Sequence, residues 1–588
     1  MLRSIKILLI AGMLITGYFL ILAWNKDYGQ TAEKAQNSPV TEATAAVAPT
    51  TTVPGAPAPA RMTTQTVPSA TLPTAVSANT VPASTPLTPT AGVVQPAITP
   101  SGISADWIRV TTDIYTLWIN PVGGDIVRLE LRQHQKSTAS DQPYVMLQQD
   151  SARHYVAESG LIGAAGASGV DTAAGRAHYQ SVQRDYTLAA GQGTLTVPLT
   201  LTTPQGITIV KSYVLKAGQY PIALRYRIAN HGQQPWSGQM YAQLVRDHSE
   251  DPGKSHQGIM GMATYLGGAW GTPDHPYNKL KLGDFSKEAI HQSAVHGWVG
   301  MVQHYFVSAW IPDPAHPATL VSRQAGDYNV IGFTGHPLVV PAGKQVETTA
   351  TLYSGPKIQS LLKELAPGLN QTVDYGWLWP IAQVLFIGLK FIHGLVGNWG
   401  WSIIFLTVIV KMMLFPLSAK SYRSMAKMKL IGPEMQRLKE EYGEDRMKFS
   451  QEMMALYKRE QVNPLSGCLP MLMQMPIFLA LYWVLMESVE LRHAPWMGWI
   501  TDLSAMDHWF ILPLIMGATM YAQQLLNPQP ADPMQAKVLR MMPIIFTVFL
   551  LFFPAGLVLY WIVNNLLTIA QQYLIQREIL KRSQLKVG

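Results

Sequence analysis

A lysine in the middle of an apolar segment is the residue whose type and position most directly suggest chemistry. Lys411 lies in the run from Trp401 to Leu417, which otherwise has the composition of a membrane-spanning helix. Placing an ammonium at the centre of a span costs roughly 2.5–3.5 kcal/mol, so such residues usually face a protein interior or a water-filled cavity. The sequence therefore predicts a binding site around Lys411.

Polar side chains in the apolar segments could line the same site. Thr407 precedes Lys411 by four residues and shares its helical face, with Ser402 nearer the outer end. Further polar or amphipathic side chains occur in two later segments: Gln474, Trp561, Asn564, Asn565 and Thr568. Because an unpaired polar group in hydrocarbon costs several kcal/mol, we expect these residues to line a hydrated, hydrophilic groove.

A set of apolar side chains with helical spacing lies on the segment from 468 to 486. It consists of Met471, Met475, Phe478 and Tyr482. Ordinary packing is the alternative for any single methionine, but flexible thioethers can repack around varied partners. Together with Tyr560, this set predicts an apolar slide beside the groove.

Composition restricts the other chemistry that is possible. A single cysteine, Cys468, excludes an intramolecular disulfide and a cysteine-based metal cluster. The histidines lack zinc spacing, and no Walker A pattern is present to bind ATP. We therefore expect no catalytic residue, no cofactor and no metal. The net charge of +8 does not indicate nucleic-acid readout, because Lys and Arg are segregated by side of the predicted membrane spans.

The N-terminal part divides into three predicted regions. Residues 1–25 predict an uncleaved transmembrane anchor, since the apolar run is about long enough to cross and no cleavage pattern follows. Residues 26–105, rich in Thr, Pro and Ala, predict a disordered linker. Residues 106–360 contain short alternating segments separated by turns, which predict a large antiparallel, all-β sandwich domain.

The C-terminal part contains five further apolar segments, which give six predicted transmembrane helices. A five-helix core is expected at 398–580, with segments near 399–417, 468–486, 510–526, 538–553 and 556–574. A predicted helical hairpin at 418–464 carries ten Lys or Arg residues, and short basic loops stay in the cytoplasm. Both termini, including the short basic tail at 581–588, are therefore predicted to be cytoplasmic and the β-domain periplasmic.

One more apolar segment, at 371–397, is also long enough to span. A crossing there would move the basic loop to the wrong side of the membrane. We therefore expect an interfacial amphipathic helix at the outer surface, anchored by Trp377 and Trp379.

Three motifs in the C-terminal part resemble the YidC family of membrane protein insertases. They are NPLSGCLPMLMQMPIF at 463–478, DPMQ at 532–535 with MPIIF at 542–546, and FPAGLVLYWIVN at 553–564. The resemblance runs in order through residues 371–580, and the anchor plus β-domain is similar to the Gram-negative form. Two positions depart from the usual pattern: Lys411, where the family more often has Arg, and Trp561, where it often has Tyr.

This resemblance implies a fold, an activity and partners. The fold would be an insertase core of five helices with a periplasmic β-supersandwich. The activity would be insertion and folding of proteins in the bacterial inner membrane, without nucleotide hydrolysis. The partners would be nascent membrane proteins, the Sec translocon, membrane lipid, and the ribosome through the cytoplasmic loop or tail. Positions that correspond to Met475 and Phe478 are implicated in substrate contact in this family.

Two other functions are compatible with parts of the sequence. A small-anion transporter or channel could use the same intramembrane cation. A carbohydrate-active periplasmic domain on a membrane anchor could use the β-domain, because supersandwich folds also occur in sugar epimerases, although fold resemblance alone confers no activity.

Overall fold

The computed structural model describes residues 103–163, 170–172, 175–252, 264–462, 469–527 and 533–587. The predicted anchor at 1–25 and nearly all of the predicted linker at 26–105 lie outside these residues.

The β-domain consists of strands, and in several of them buried and more exposed side chains alternate. In the strand Ile207–Lys216, every second residue from Ile207 to Leu215 is buried and the residues between them are partly exposed, as expected for a strand with one face on the core. Eighteen strands are present among the described residues: β1 (Ile108–Thr111), β2 (Tyr115–Asn120), β3 (Asp125–Ser137), β4 (Ser140–Gln149), β5 (His154–Gly163), β6 (Asp185–Thr187), β7 (Thr194–Thr202), β8 (Ile207–Lys216), β9 (Pro221–Asn230), β10 (Trp236–Arg246), β11 (Gly267–Gly271), β12 (Asn278–Lys281), β13 (His291–Ala294), β14 (Trp298–Val302), β15 (Phe306–Pro312), β16 (Ala318–Ala325), β17 (Tyr328–Val340) and β18 (Gln345–Pro356).

The strands form two sheets around one core. A ten-stranded sheet has the order β13-β16-β17-β10-β5-β4-β3-β2-β1-β6, and an eight-stranded sheet has the order β12-β11-β14-β15-β18-β9-β8-β7. Neighbouring strands are antiparallel except β1 and β6, which pair in parallel. One apolar cluster takes Leu117 from the first sheet and Leu224 from the second, and it includes the fully buried Trp298 and Trp310. The predicted all-β sandwich is confirmed.

Ten α-helices follow the last strand among the described residues. They are α1 (Gln359–Leu365), α2 (Trp379–Val396), α3 (Trp399–Met413), α4 (Phe415–Leu430), α5 (Gly432–Tyr442), α6 (Arg446–Arg459), α7 (Leu469–Glu487), α8 (Ile511–Leu526), α9 (Pro533–Leu550) and α10 (Ala555–Val587). Within the predicted hairpin, α5 and α6 pack through Ile431, Met435 and Leu456. The side chain of Asp445 caps α6 by accepting hydrogen bonds from two backbone N–H groups.

The helices near Lys411 are apolar outside and polar inside. Large apolar side chains are exposed on three of them: Phe405 and Met412 on α3, Ile544 and Val548 on α9, and Leu566 and Leu574 on α10. On α3 and α10, several polar side chains are buried: Ser402, Thr407, Lys411, Asn565, Thr568, Gln572 and Gln576. Extended apolar surface is not tolerated by soluble monomers, so this arrangement indicates a helical bundle surrounded by lipid.

A sharp bend ends the helix that carries Lys411. The sequence predicts one continuous segment to Leu417, but α3 ends at Met413 and α4 leaves it at 68°. Pro416 lies at the start of α4, where it lacks an N–H group and its ring would clash with the preceding helical turn. The helix that carries Lys411 is therefore shorter than the apolar run in the sequence.

By length and hydropathy alone, fewer helices of the described residues qualify as membrane spans than the sequence predicts. Among the described residues, Gly376–Val396 is long and apolar enough to cross a membrane, and α3 with α4 would form a second span if the bent pair is counted as one. The apolar parts of α7 and α8, Leu472–Glu487 and Ile511–Leu526, are shorter. The interfacial position of α2 stays a prediction from the distribution of charge.

A buried ion pair joins the β-domain to the helices. Lys357 follows the last strand and Glu487 ends α7; the Nζ and Oε2 atoms are 2.8 Å apart, and the two side chains are 2% and 5% exposed. Lys357 also donates to the carbonyl of Thr372 at 3.1 Å. Both charged groups thus have close partners, which a buried pair requires.

Two further side chains, His304 and Arg492, form contacts across this junction. A ring nitrogen of His304 lies 2.7 Å from the carbonyl oxygen of Met486. Burial lowers the pKa of His304 to about 3, and the charge of Lys357 acts in the same direction, so a neutral ring donates this bond. Arg492 donates to the carbonyl of Gln135 at 2.7 Å and lies over the ring of Phe306.

The buried pair gives a stability prediction. Lys357→Met should lower the free energy of unfolding by about 3–5 kcal/mol, because it leaves the Glu487 carboxylate buried without its cation. Lys279→Met is the matched control, since its pair with Asp374 is partly exposed and should contribute about 1 kcal/mol or less. Unfolding of the purified full-length chain in detergent would measure both.

A double variant separates the lost ion pair from general damage. Lys357→Met with Glu487→Leu should recover most of the loss, because replacing both members of a buried pair by apolar groups is often close to neutral. A double variant as unstable as Lys357→Met would contradict this account of the junction.

Candidate functional site

Lys411 and three other side chains, from three helices in total, form one hydrogen-bonded cluster. The Lys411 Nζ atom donates to Oδ1 of Asn564 at 2.8 Å and to Oε1 of Gln474 at 3.1 Å. Nε2 of Gln474 donates to the same Asn564 oxygen at 2.5 Å and to the Tyr560 hydroxyl at 2.7 Å. We call Lys411, Gln474, Asn564 and Tyr560 the Lys411 cluster.

The local sequence places each member of the cluster. Gly397 adopts a left-handed conformation (φ 71°) and ends α2, which glycine does without strain. Asn398 then caps α3 by accepting from the backbone N–H of Trp401. These two residues fix the start of the helix whose last turn carries Lys411. On α10, Tyr560 and Asn564 are four residues apart and so lie on one face.

Neutral partners surround the cation. Lys411 is 4% exposed, and its hydrogen-bond acceptors are two amide oxygens. Among the described residues, no carboxylate forms an ion pair with it. The two amide oxygens accept two of the three hydrogen bonds that an ammonium can donate, and they leave its charge uncompensated. The cluster can therefore accept an anionic group without first breaking an ion pair.

The polar residues predicted for the groove do not all reach this cluster. The structure brings Lys411, Gln474 and Asn564 together, whereas the Ser402 hydroxyl donates to the carbonyl of Asn398 at 2.7 Å and the Thr407 hydroxyl to that of Ile403 at 2.6 Å. Ser402 and Thr407 share the helical face of Lys411, but these bonds within α3 already use their hydroxyl donors. The place of Ser402 and Thr407 in the groove lining stays a prediction.

The predicted polar stripe on α10 is also divided. Asn565 donates to the hydroxyl of Thr519 on α8 at 3.1 Å, and Thr568 donates to the backbone carbonyl of Asn564 at 2.7 Å. Each helical residue turns by about 100° from the one before it, so Asn564 and Asn565 point to different neighbours. These bonds join α10 to α8 and link two residues within α10, and the place of Asn565 and Thr568 in the groove stays a prediction.

The aromatic members form one stack beside the cluster. The rings of Phe478 and Trp561 pack edge to face with centroids 4.6 Å apart, and Phe546 lies 5.9 Å from Trp561. Trp561 contributes packing through its ring, whereas the phenolic hydroxyl at the cluster comes from the preceding Tyr560.

Only some of the residues predicted to form the apolar slide are exposed in the structure. Met475 is 47% exposed and Phe478 is partly exposed, so both are available to a partner. Tyr482 is buried against Phe553, and Tyr560 is buried within the Lys411 cluster, so neither forms part of an open surface. The side chain of Met471 lies outside the described residues.

Two hydrogen bonds between helices were not predicted from the sequence. The Tyr560 hydroxyl accepts a hydrogen bond from Gln474, and its position four residues before Asn564 was the available signal. Thr519 partners Asn565, and a threonine in an otherwise apolar segment could have pointed to a contact between helices.

A second charged cluster lies inside the β-domain. Arg176 ion-pairs with Asp125 at 2.9 Å, Asp171 at 3.2 Å and Glu158 at 3.4 Å. Lys211 is fully buried beside them and donates to two backbone carbonyls. Burial lowers the pKa of Lys211 to about 7, although Asp125 opposes the shift. These carboxylates are already paired with cations.

Comparison with known proteins identifies the family. A curated relative named membrane protein insertase YidC, from Pseudomonas entomophila, is 50% identical over 576 residues, which is 98% of each chain. The chain belongs to the YidC family. Another relative of that name, from Azotobacter vinelandii, is 50% identical over 98% of this chain and 99% of its own.

Family profiles cover both parts of this YidC family member. The profile described as YidC periplasmic domain matches residues 107–387, and that described as 60Kd inner membrane protein matches residues 391–582. A crystal structure titled active YidC insertase with the first transmembrane domain resolved is 18% identical, with a TM-score of 0.36 over 81% of this chain and 94% of that one.

The cluster geometry gives a prediction about the reactivity of Lys411. Asn564→Ala removes the acceptor at 2.8 Å and should increase labelling of Lys411 by a membrane-permeable, amine-reactive reagent. Losing one bond to a charged group costs about 1.5–3 kcal/mol, so labelling should rise about ten-fold or more. Peptide mass spectrometry would quantify the modified lysine.

Asn565→Ala is the matched control for this measurement. It removes the neighbouring amide, which bonds to Thr519 and not to Lys411, and should leave labelling unchanged. Equal labelling of the two variants would mean that Asn564 does not shield the amine.

Proposed function

We propose that the Lys411 cluster receives the polar segment of a membrane protein as that protein enters the inner membrane. The chain is a membrane protein insertase rather than an enzyme, in keeping with its 50% identity to insertases over nearly its whole length. The observation that carries the assignment of the site is the buried amine with amide partners only.

An acidic tail gains a strong contact at this site. A carboxylate that replaces one amide oxygen keeps a hydrogen bond to the ammonium and adds the Coulombic attraction of opposite charges, which is stronger in a protein interior than in water. The displaced Gln474 amide keeps its bond to Tyr560. Entry of the tail therefore replaces a weaker contact with a stronger one and leaves little polar surface unpaired.

The hydrophobic segment of the substrate leaves beside Met475 and Phe478. Both side chains are accessible, and Phe478 borders the aromatic stack next to the cluster. Partitioning into lipid supplies the driving force, since each buried methylene contributes about 0.8 kcal/mol. The membrane potential assists acidic tails by roughly 2.3 kcal/mol per charge per 100 mV.

We infer the topology from charge. The ten basic residues at 418–464 and the basic C-terminus lie in the cytoplasm, and the β-domain lies in the periplasm. Six spans, including the anchor at 1–25, satisfy this arrangement with α2 in the outer interface. The domain divisions at 26–105, 106–360, 371–397, 398–580 and 581–588 are part of the same proposal.

We also propose two protein partners beyond the substrate. The charged outer faces of α5 and α6 suit transient contact with a ribosome or its nascent chain, to which the basic tail contributes weakly. The Sec translocon would share substrates too long for this protein alone. Surrounding lipid contacts the exposed apolar faces of α3, α9 and α10.

The β-domain gives little support to a carbohydrate-active function. The cleft beside Tyr241, Gln243 and Arg323 has a volume of about 20 Å³, which is space for about one water molecule. A sugar ring does not fit there, and the neighbouring carboxylates are paired with Arg176. A small-anion transporter would also use a buried cation, but insertases are the relatives that this chain matches.

Substitution of Lys411 tests the role of the charge. Lys411→Arg should retain insertion of small, Sec-independent substrates, whereas Lys411→Ala should slow insertion of those with acidic tails about ten-fold or more, the equivalent of about 1.5–3 kcal/mol. Protease protection of the substrate tail in reconstituted vesicles would measure both rates.

The control is a substrate with its tail acids changed to amides. Its insertion should be equally fast with Lys411 and with Lys411→Ala. Full activity of the alanine variant on acidic tails would remove the charge from the mechanism.

Photocrosslinking tests the exit path. A photoreactive residue at Met475 or Phe478 should crosslink to ribosome-bound nascent membrane proteins, while one at Leu566, which is 51% exposed on α10, should not. Similar exposure at Met475 and Leu566 makes position the main difference between them. Equal yields at these two sites would contradict a localised path.

A further inference from the structure

An open cleft lies between α1 and α2, apart from both charged clusters described above. Its volume is about 380 Å³, within the range of about 300–1,000 Å³ that is usual for small-molecule sites. Residues from α1, α2 and the turns at 369–372 and 489–491 line it. The cleft therefore brings together segments on both sides of the junction between the β-domain and the helices.

One wall of this cleft is cationic and rich in hydrogen-bonding groups. Lys363 on α1 and Lys390 on α2 are both exposed. Uncharged polar side chains lie beside them: Gln359, Ser360, Asn370 and Gln383. Two ammonium groups suit a phosphodiester, and amides with a hydroxyl suit a ligand that itself carries hydroxyl groups.

One carboxylate also faces the cleft. Burial raises the pKa of Glu490, and the charge of Lys390 opposes this shift. With two lysines against one carboxyl group, the wall keeps a net positive charge whether or not Glu490 is ionised. Net charge therefore favours an anionic ligand over a zwitterionic one.

The other wall is apolar and continues along α2. Phe386, Ile387 and Phe391 line the cleft. Ile387 and Phe391 also belong to a row of exposed apolar side chains at helical spacing, which continues to Val384 and Leu395. A polar pocket that opens directly onto an apolar helix face matches the two halves of a lipid at a membrane interface.

We propose that this cleft binds an anionic phospholipid with a hydroxylated head group, such as phosphatidylglycerol, in the outer leaflet. The phosphodiester lies between Lys363 and Lys390, the head-group hydroxyls bond to the neighbouring amides, and the acyl chains follow Ile387 and Phe391. The proposal rests on the interfacial position of α2 inferred above. It does not depend on substrate passing the Lys411 cluster.

Selective lipid retention tests the site. Full-length protein in detergent micelles is equilibrated with equal amounts of phosphatidylglycerol and phosphatidylcholine of the same acyl chains, and bound lipid is counted by native mass spectrometry. Wild type should retain phosphatidylglycerol preferentially. Lys363→Gln and Lys390→Gln should each reduce that preference about five-fold, which corresponds to about 1 kcal/mol per lysine.

A second double variant removes two positive charges outside the cleft and controls for the general effect of charge. Lys216→Gln with Lys344→Gln removes two exposed lysines of the β-domain that do not line the cleft, and it should keep the wild-type preference. Loss of preference in this variant, or its persistence in Lys363→Gln with Lys390→Gln, would overturn the proposal.

A soluble competitor distinguishes lipid from free phosphate. Inorganic phosphate and glycerophosphoglycerol lack acyl chains, so they should displace the lipid poorly. Displacement as effective as that by intact phosphatidylglycerol would overturn the lipid assignment. Because bound lipid is the readout, failure here leaves the proposed insertase site untouched, and loss of insertion in Lys411→Ala leaves the lipid site untouched.

Discussion

The arrangement of the helical bundle depends on holding an ammonium inside it with amide oxygens, and no carboxylate of the described residues, as its partners. Lys411 reaches two amide oxygens, one from α7 and one from α10, and these amides also bond to each other. Three helices must therefore keep a fixed mutual register, because a shift of one turn would leave a cation and two amides unpaired in an apolar surrounding. A carboxylate partner would stabilise the cation more strongly, but it would also occupy the place that a substrate anion needs.

The junction with the β-domain also contains a buried lysine, but this lysine is paired with a carboxylate. There Lys357 and Glu487 form a true ion pair, with extra bonds from Thr372 and a neutral His304 beside it. Opposite charges in a buried place make a contact that is costly to break. Because Glu487 ends the same helix that carries Gln474 and Met475, the β-domain is fixed directly to α7. The end of α7 is thus held by an ion pair, while nearer its start Gln474 offers a neutral amide and Met475 an accessible thioether.

The sequence was most informative where a local pattern decides the structure. Alternation in β8 was enough for a strand of the sandwich, and a lone lysine in an apolar run was enough for a buried site with Gln474 and Asn564 nearby. Spacing on α10 could not say which helix each face meets, so the bonds of Asn565 to Thr519 and of Thr568 to the Asn564 carbonyl were not predicted. The contact of Lys357 with Glu487 joins residues far apart in the chain, and no local pattern encodes it. The bend at Pro416 was readable in principle, since proline interrupts a helix.

That bend has a consequence for the depth at which a substrate is captured. At about 1.5 Å per residue, Lys411 lies roughly 18 Å along α3 from Trp399 but only about 3 Å from Met413, where the helix axis turns away. In the proposed orientation, the turn faces the cytoplasm. An incoming tail therefore meets the cation early, after a short desolvated path and before most of the bilayer has been crossed. In the proposed mechanism, recognition and translocation would be successive steps. The charge would set which tails begin the crossing, and the hydrophobic segment would determine which of them complete it.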